Sequence, residues 1–271
     1  MRIVSFVHGG QVQFGIREGD SVRACPDAHS IFDMLSGPAR LAAEYRFQDL
    51  DILPPVPAPG KVICIGLNYR KHAEEGGNPI PDYPAVFLRV NTSLVAHGKP
   101  ILRPPASDKL DYEAELAVII GKTASKVSVE DALYHVGGYA CFNDGSLRDY
   151  QRKSTQWTMG KNFDRTGGFG SDLVTADELP AGGKGLRIVS RLNGEVMQDG
   201  NTSDMIFDVA TLISCMSEVM TLEPGDVIAT GTTSGVGYAR KPPVFMKPGD
   251  VCEVEIEGIG TLRNTIEDAA L

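Results

Sequence analysis

Residues 110–120, Leu-Asp-Tyr-Glu-Ala-Glu-Leu-Ala-Val-Ile-Ile, constrain this chain more than any other segment. Side chains alternate across a strand, so Glu113 and Glu115 project from one face together with Ala117 and Ile119. Tyr112, Ala114, Leu116, Val118 and Ile120 occupy the other. Both faces read as buried, which puts two carboxylates at the edge of an apolar interior. There they repel each other and are poorly solvated unless a cation lies between them. A solvated strand face is the alternative, and the chain contains one for comparison. Glu253, Glu255 and Glu257 alternate with Cys252, Val254 and Ile256 in the polar and apolar pattern of a half-exposed strand.

A third carboxylate, Asp144, stands where the apolar run of residues 139–142 breaks into Asn143-Asp144-Gly145. Strand ends and the loops after them are where sites tend to be built. Three carboxylates without a nearby cysteine or histidine form an all-oxygen set, which selects a hard cation: Mg²⁺, Mn²⁺ or Ca²⁺. Upstream, Asn68 can cap and Gly76 can end a short helix, in which His72 and Glu75 fall three apart on one face. At that spacing a carboxylate can orient and polarise an imidazole, and so short a helix suits a lid that orders over substrate. A solvent-exposed pair fits the spacing equally well.

The usual phosphate cradles, GxxxxGK[ST] and GxGxxG, are absent, as are a GxSxG nucleophile elbow and an HExxH zinc helix. The glycine-rich residues 230–237 carry no lysine and read as a plain loop. A formal charge of -9 argues against nucleic acid and against anionic membranes as partners. No apolar stretch reaches the roughly 18 residues of a membrane span, and the start turns polar too early for a signal peptide, so a cytoplasmic protein is expected. Five widely spaced cysteines, mostly flanked by apolar residues, point to buried thiols without disulfides or zinc.

Residues 1–24 read as a small β meander and residues 30–35 as a short helix. The proline-rich run of residues 53–60 admits neither helix nor central strand. It sets the boundary between a small β-rich N-terminal domain, residues 1–55, and a larger domain, residues 56–271. Beyond it, strands are expected at 62–66, 115–120, 186–192, 226–230 and 251–256, helices at 129–135 and 204–220, and a terminal hairpin from 251 to 266. Irregularly joined strands with few long helices make the fold class α+β and β-dominated.

Taken in order, Gly66-Leu-Asn-Tyr-Arg-Lys-His72, residues 110–116, Gly138-Tyr139 through Asn143-Asp144, Gly160-Lys-Asn-Phe-Asp164, Asn193-Gly-Glu195, residues 202–207, Pro224-Gly-Asp226, Thr230-Gly-Thr232 and Glu257-Gly-Ile-Gly260 form a specific signature. In these pieces the chain resembles the fumarylacetoacetate hydrolase family over nearly all of residues 60–271. The resemblance implies a mixed-β fold for the larger domain and a homodimer. It implies Mg²⁺ or Mn²⁺ on Glu113, Glu115 and Asp144, with His72 and Glu75 as the dyad that activates water. It further implies substrate contacts from Arg148, Gln151 and Thr232, with Lys161 adding positive charge at a developing anion.

The implied activity is hydrolysis of a carbon–carbon bond in an acylpyruvate or related 1,3-diketo acid, a small oxo-acid that chelates the metal while its enolate leaves. Decarboxylation of an oxaloacetate-type acid and isomerisation of an unsaturated diacid share that enolate and remain alternatives. A reading from another class is a non-catalytic β module holding a fully coordinated structural Ca²⁺. Gly145, Leu147, Thr233 and residues 165–170 depart from the family's usual pattern near the expected substrate, which leaves specificity open.

Overall fold

The strand Ala114–Ile120 is buried along its whole length and runs antiparallel between Val136–Asn143 and Val227–Thr232. In this computed structural model, which describes residues 1–37 and 40–270, the sheet continues from Val227–Thr232 to a parallel Val62–Gly66 and ends at Ala85–Arg89. On the other side it passes from Val136–Asn143 through Asp172–Thr175 to Arg2–His8, Gln11–Glu18, Ser21–Ala24 and Glu44–Arg46. Three short strands pair off this path, making a 13-stranded sheet of mixed direction. A second sheet has five strands, among them the terminal hairpin Val251–Ile256 and Gly260–Asp268. The fold is β-dominated α+β, as the strand pattern predicts.

Burial on both faces of Ala114–Ile120 follows from two cores. Leu116, Val118 and Ile120 pack with Leu212, Ile213 and Met216 of the helix Val209–Val219 and with Ile188, Val254 and Ile256 of the second sheet. Ala117 and Ile119 face the other way, into a core completed by Ile3, Phe14, Ile31 and Met34. Fully burying one such Leu or Ile contributes about 1.5–3 kcal/mol, so the strand is fixed from both sides. Residues 1–55 therefore share a sheet and a core with the rest of the chain.

Local signals explain most elements. Ser30 caps Ile31–Ser36 in a capping box with Asp33, and Ser128 caps Val129–Ala132, which runs on as the 3-10 turn Leu133–His135. The helix expected over 204–220 is shorter, Val209–Val219, because Asp208 caps it and its carboxylate accepts from the Thr211 amide. Asn68 does not cap the helix Arg70–Glu75. Its side chain donates to Phe207 O and Thr230 O and accepts from the Phe207 amide, tying remote segments together. Glu113 lies just ahead of the ladder, which starts at Ala114, so strand alternation alone does not set its direction. The five cysteines are free thiols. Among the described residues no helix is long and apolar enough to cross a membrane.

Candidate active site

The buried strand Ala114–Ile120 carries Glu115 into a cavity of about 190 Å³. Glu113 enters from the residues before it, its amide donating to Asn143 Oδ1 at 3.0 Å, and Asp144 enters from the end of Val136–Asn143, its amide donating to Glu113 O at 2.9 Å. One oxygen from each of Glu113, Glu115 and Asp144 lies within 4.8 Å of the others, and all three residues are buried. Every site residue expected from the sequence lines this cavity except Glu75, which sits behind His72.

Two of the three carboxylates are tightly partnered. Glu113 accepts from Arg148 Nη2 at 2.7 Å, from Ser146 Oγ at 2.7 Å and from Lys161 Nζ. Asp144 accepts from Arg89 Nη1 and from Lys161 Nζ, each at 2.5 Å. Glu115 has no basic partner; among the described residues its one hydrogen bond is the Gly231 amide, at 2.9 Å. Burial and the Asp144 and Glu113 charges push Glu115 well above the usual carboxylate range, against Lys161 and the Gly231 amide. Burial also acts upward on Glu113, but Arg148 and Lys161 outweigh it and hold that carboxyl below the usual range. Burial disfavours the Lys161 ammonium, yet Asp144 and Glu113 raise it above the ordinary lysine value, so it stays charged.

The charge count bears on a cation. Asp111, Glu113, Glu115 and Asp144 are buried against Arg89, Arg148 and Lys161, four carboxylates less three bases, which leaves one negative charge uncompensated. The uncompensated group, Glu115, is also the one whose carboxyl is most in need of a counter-charge. An all-oxygen donor set with that deficit fits a hard divalent cation such as Mg²⁺ or Mn²⁺.

His72 comes from the helix Arg70–Glu75, with Nδ1 3.5 Å from Glu75 Oε2. Such contacts commonly tighten only when substrate is bound. Glu75 is itself fixed by the Gly235 amide, at 3.0 and 3.1 Å to its two oxygens. Thr232 Oγ1 donates to Ala114 O at 2.9 Å and accepts from Gln198 Nε2 at 2.8 Å. Arg148 uses each of its guanidinium nitrogens once: Nε to Asp111 at 2.8 Å, Nη1 to Gln151 Oε1 at 2.9 Å and Nη2 to Glu113.

Several residues of the wall and of the layer behind it escape sequence reasoning. Arg89, which does not itself line the cavity, breaks the apolar run of residues 85–90, the one local signal it gives. Asp111 accepts from the amides of Gly237 and Tyr238, which fixes the Tyr238 loop beside Arg148. Trp157 packs edge-on to Phe87, 5.7 Å between ring centroids, and over Gly66, where a Cβ would lie 1.9 Å from Trp157 Cζ3. Gly145, Leu147, Thr233 and residues 165–170, expected near substrate, do not line the cavity. At Gly145 the reason is packing, since a Cβ would lie 2.0 Å from Thr166 O.

A family model described as fumarylacetoacetate (FAA) hydrolase C-terminal matches residues 61–267, and one described as Rv2993c-like, N-terminal, matches residues 1–55. A human protein named oxaloacetate tautomerase FAHD2A, mitochondrial, is 43% identical over 220 residues, 80% of this chain and 70% of the relative. Among solved structures, one described as a fumarylacetoacetate hydrolase from psychrophilic Exiguobacterium antarcticum superposes with a TM-score of 0.87 at 36% identity, covering 99% of this chain and 100% of the other. Another, described as 2-hydroxyhepta-2,4-diene-1,7-dioate isomerase from Mycobacterium marinum, gives 0.85 at 34% identity with all of both chains covered.

Proposed function

The chain belongs to the fumarylacetoacetate hydrolase family, and from that premise we propose that it is an enzyme that moves a proton at the carbon beside the ketone of a small 2-oxo acid, interconverting keto and enol forms. The observation that carries the reading is the convergence of His72 and the three carboxylates on one small cavity. Glu113, Glu115 and Asp144 would hold Mg²⁺ or Mn²⁺, which when bound supplies a Lewis acid to the acid's oxygens. His72 turns Nδ1 to Glu75, which leaves Nε2 as the nitrogen that takes the proton from carbon and passes it to the enolate oxygen, or carries it from that oxygen back to carbon in ketonisation. Lys161 keeps a positive charge beside the enolate as it forms. Phe87 and Trp157 supply an apolar wall that limits water. Two relatives support proton transfer in their names, a tautomerase and a dienedioate isomerase.

A second reading, the hydrolysis of an acylpyruvate implied by the sequence pattern, is favoured by the likeness to a protein described as a fumarylacetoacetate hydrolase. It uses the same residues, with water as the group that His72 deprotonates. A cavity open to a small molecule beside the carboxylates speaks against a closed structural ion site. The family's homodimer is carried as part of this proposal and is read from the mass in solution.

The test is the rate of enol-oxaloacetate ketonisation and of acetylpyruvate cleavage with Mg²⁺, in the wild type and in His72→Gln. Loss of a general base costs on the order of 10² to 10⁴ in rate, and the cation's effect on melting should persist. An unchanged ketonisation rate in the variant removes His72 from the mechanism. Cleavage of acetylpyruvate without ketonisation replaces the first reading by the second.

A further inference from the structure

Three basic side chains line the cavity, and two of them are committed to the protein. Arg148 spends all three guanidinium nitrogens on Asp111, Glu113 and Gln151, and Lys161 bridges Glu113 and Asp144. The third, Arg152, is exposed and lines the same cavity, and its guanidinium makes no hydrogen bond or ion pair among the described residues. It closes the short helix Arg148–Gln151, four residues after Arg148, and the two guanidinium groups approach one ring, Tyr238, at 4.4 and 4.7 Å. That ring is held in place because the Tyr238 amide donates to Asp111 at 3.0 Å. Arg152 is therefore a cation without an anionic partner, set over an aromatic face at the rim of the cavity.

We propose that Arg152 receives the distal carboxylate of a dicarboxylic 2-oxo acid and so selects diacids over monoacids. The proposal rests on the 2-oxo acid reading above and names the residue that discriminates within that class. Charge supports it. The buried cluster carries one uncompensated negative charge, so a divalent ion brings it to plus one, and a single carboxylate then neutralises it. A second carboxylate needs a further cation, and Arg152 is the one the cavity offers. A planar guanidinium also presents two donors in the geometry a carboxylate accepts.

The test uses malate and lactate, which differ only in the distal carboxylate and lack the ketone. Trp157 is the single tryptophan and lines the cavity, so its fluorescence reports binding directly. Titrations are run on the Mg²⁺-saturated protein in the wild type, Arg152→Gln and Arg152→Lys. The wild type should favour malate on the order of tenfold, the fold-change of one charge-assisted contact at a part-exposed site. Arg152→Gln should bring the ratio close to one while lactate binding holds within about twofold of wild type, and Arg152→Lys should recover part of the preference. Equal loss for both acids would mean that Arg152 only packs on Tyr238, and it overturns the proposal. So does a malate preference that survives in Arg152→Gln, or a wild type that binds neither acid or shows no preference. A wild type inactive on oxaloacetate that keeps an Arg152-dependent malate preference refutes the reaction and leaves this assignment standing.

Discussion

Glu115→Gln removes one charge from the buried cluster while keeping the shape of the side chain and an acceptor for the Gly231 amide. In the absence of cation, Glu115 is held above its ordinary carboxyl value of about 4.3 by burial and by Asp144 and Glu113. The native state then binds the proton more tightly than the unfolded chain does. This contribution to stability is complete below the unfolded value and is lost as pH rises through the folded one. Chelated wild type should therefore lose stability with rising pH above about 4.3 through this group, and Glu115→Gln should lose less. With cation the sign reverses. Mg²⁺ at about a hundred times its dissociation constant adds about 2.7 kcal/mol to the wild type. At roughly 2.1 cal/mol/K per residue, the unfolding entropy of 271 residues is about 0.57 kcal/mol/K, so the melting midpoint should rise by about 5 °C. The assay is thermal unfolding of both proteins in chelator and in Mg²⁺ across pH. Glu115→Gln should melt at or above wild type in chelator at neutral pH and lose most of the cation shift. A variant that keeps the full shift, or that melts well below wild type in chelator, would refute the assignment of Glu115 as the uncompensated ligand.

Two further outcomes follow from packing. Gly66→Ala puts a Cβ into Trp157, so it should shift the tryptophan emission and raise KM severalfold; unchanged emission would mean that the ring yields at no cost. Deleting residues 1–55 bares Ala117, Ile119, Ala140 and Phe142 and leaves Asp172–Thr175 without its partner Arg2–His8. The truncated chain should then aggregate or melt early, which soluble yield and calorimetry read, and a soluble form melting with the full chain would make the two units independent.

The carboxylate Glu115 and its neighbour Glu113 are legible because Ala114–Ile120 is otherwise apolar on both faces, and a charge in such a strand needs a local reason. The strands and the hairpin were legible through alternation, which is a property of neighbouring residues. What alternation cannot carry is a partner supplied from elsewhere in the chain. Asn68 sits where a cap residue would, yet its amide is consumed by Phe207 and Thr230, 139 and 162 residues away. Arg89 and Tyr238 reach the site in the same non-local way, through Asp144 and Asp111. The family pattern located nearly every expected wall residue, but it misdirected the specificity question. Its departures, such as Gly145, answer to backbone packing, whereas the rim residues Arg152, Trp157 and Tyr238 face the cavity.

The two halves of the site are built to different standards of rigidity, and that divides what their substitutions do. Glu113, Glu115 and Asp144 stand on buried segments between two cores, Glu113 and Asp144 tied to Arg89, Arg148 and Lys161 and Glu115 left without a base, so removing any of them changes the electrostatic balance of the folded state itself. His72 and Glu75 ride on a six-residue helix without a side-chain cap, followed by Gly76 and Gly77, with His72 and Ala73 buried and Glu75 held by the Gly235 amide. A helix this short, closed by two glycines, contributes little stability of its own and can adjust its distance to a substrate. Changes in the acidic half should therefore register in melting and cation dependence before any rate is measured, and changes in the dyad in the rate alone. Arg152 belongs to neither half. Its ring contact is worth about 0.5–1 kcal/mol at an exposed site, too little to be felt in the fold, which leaves selection between substrates as the property it can move.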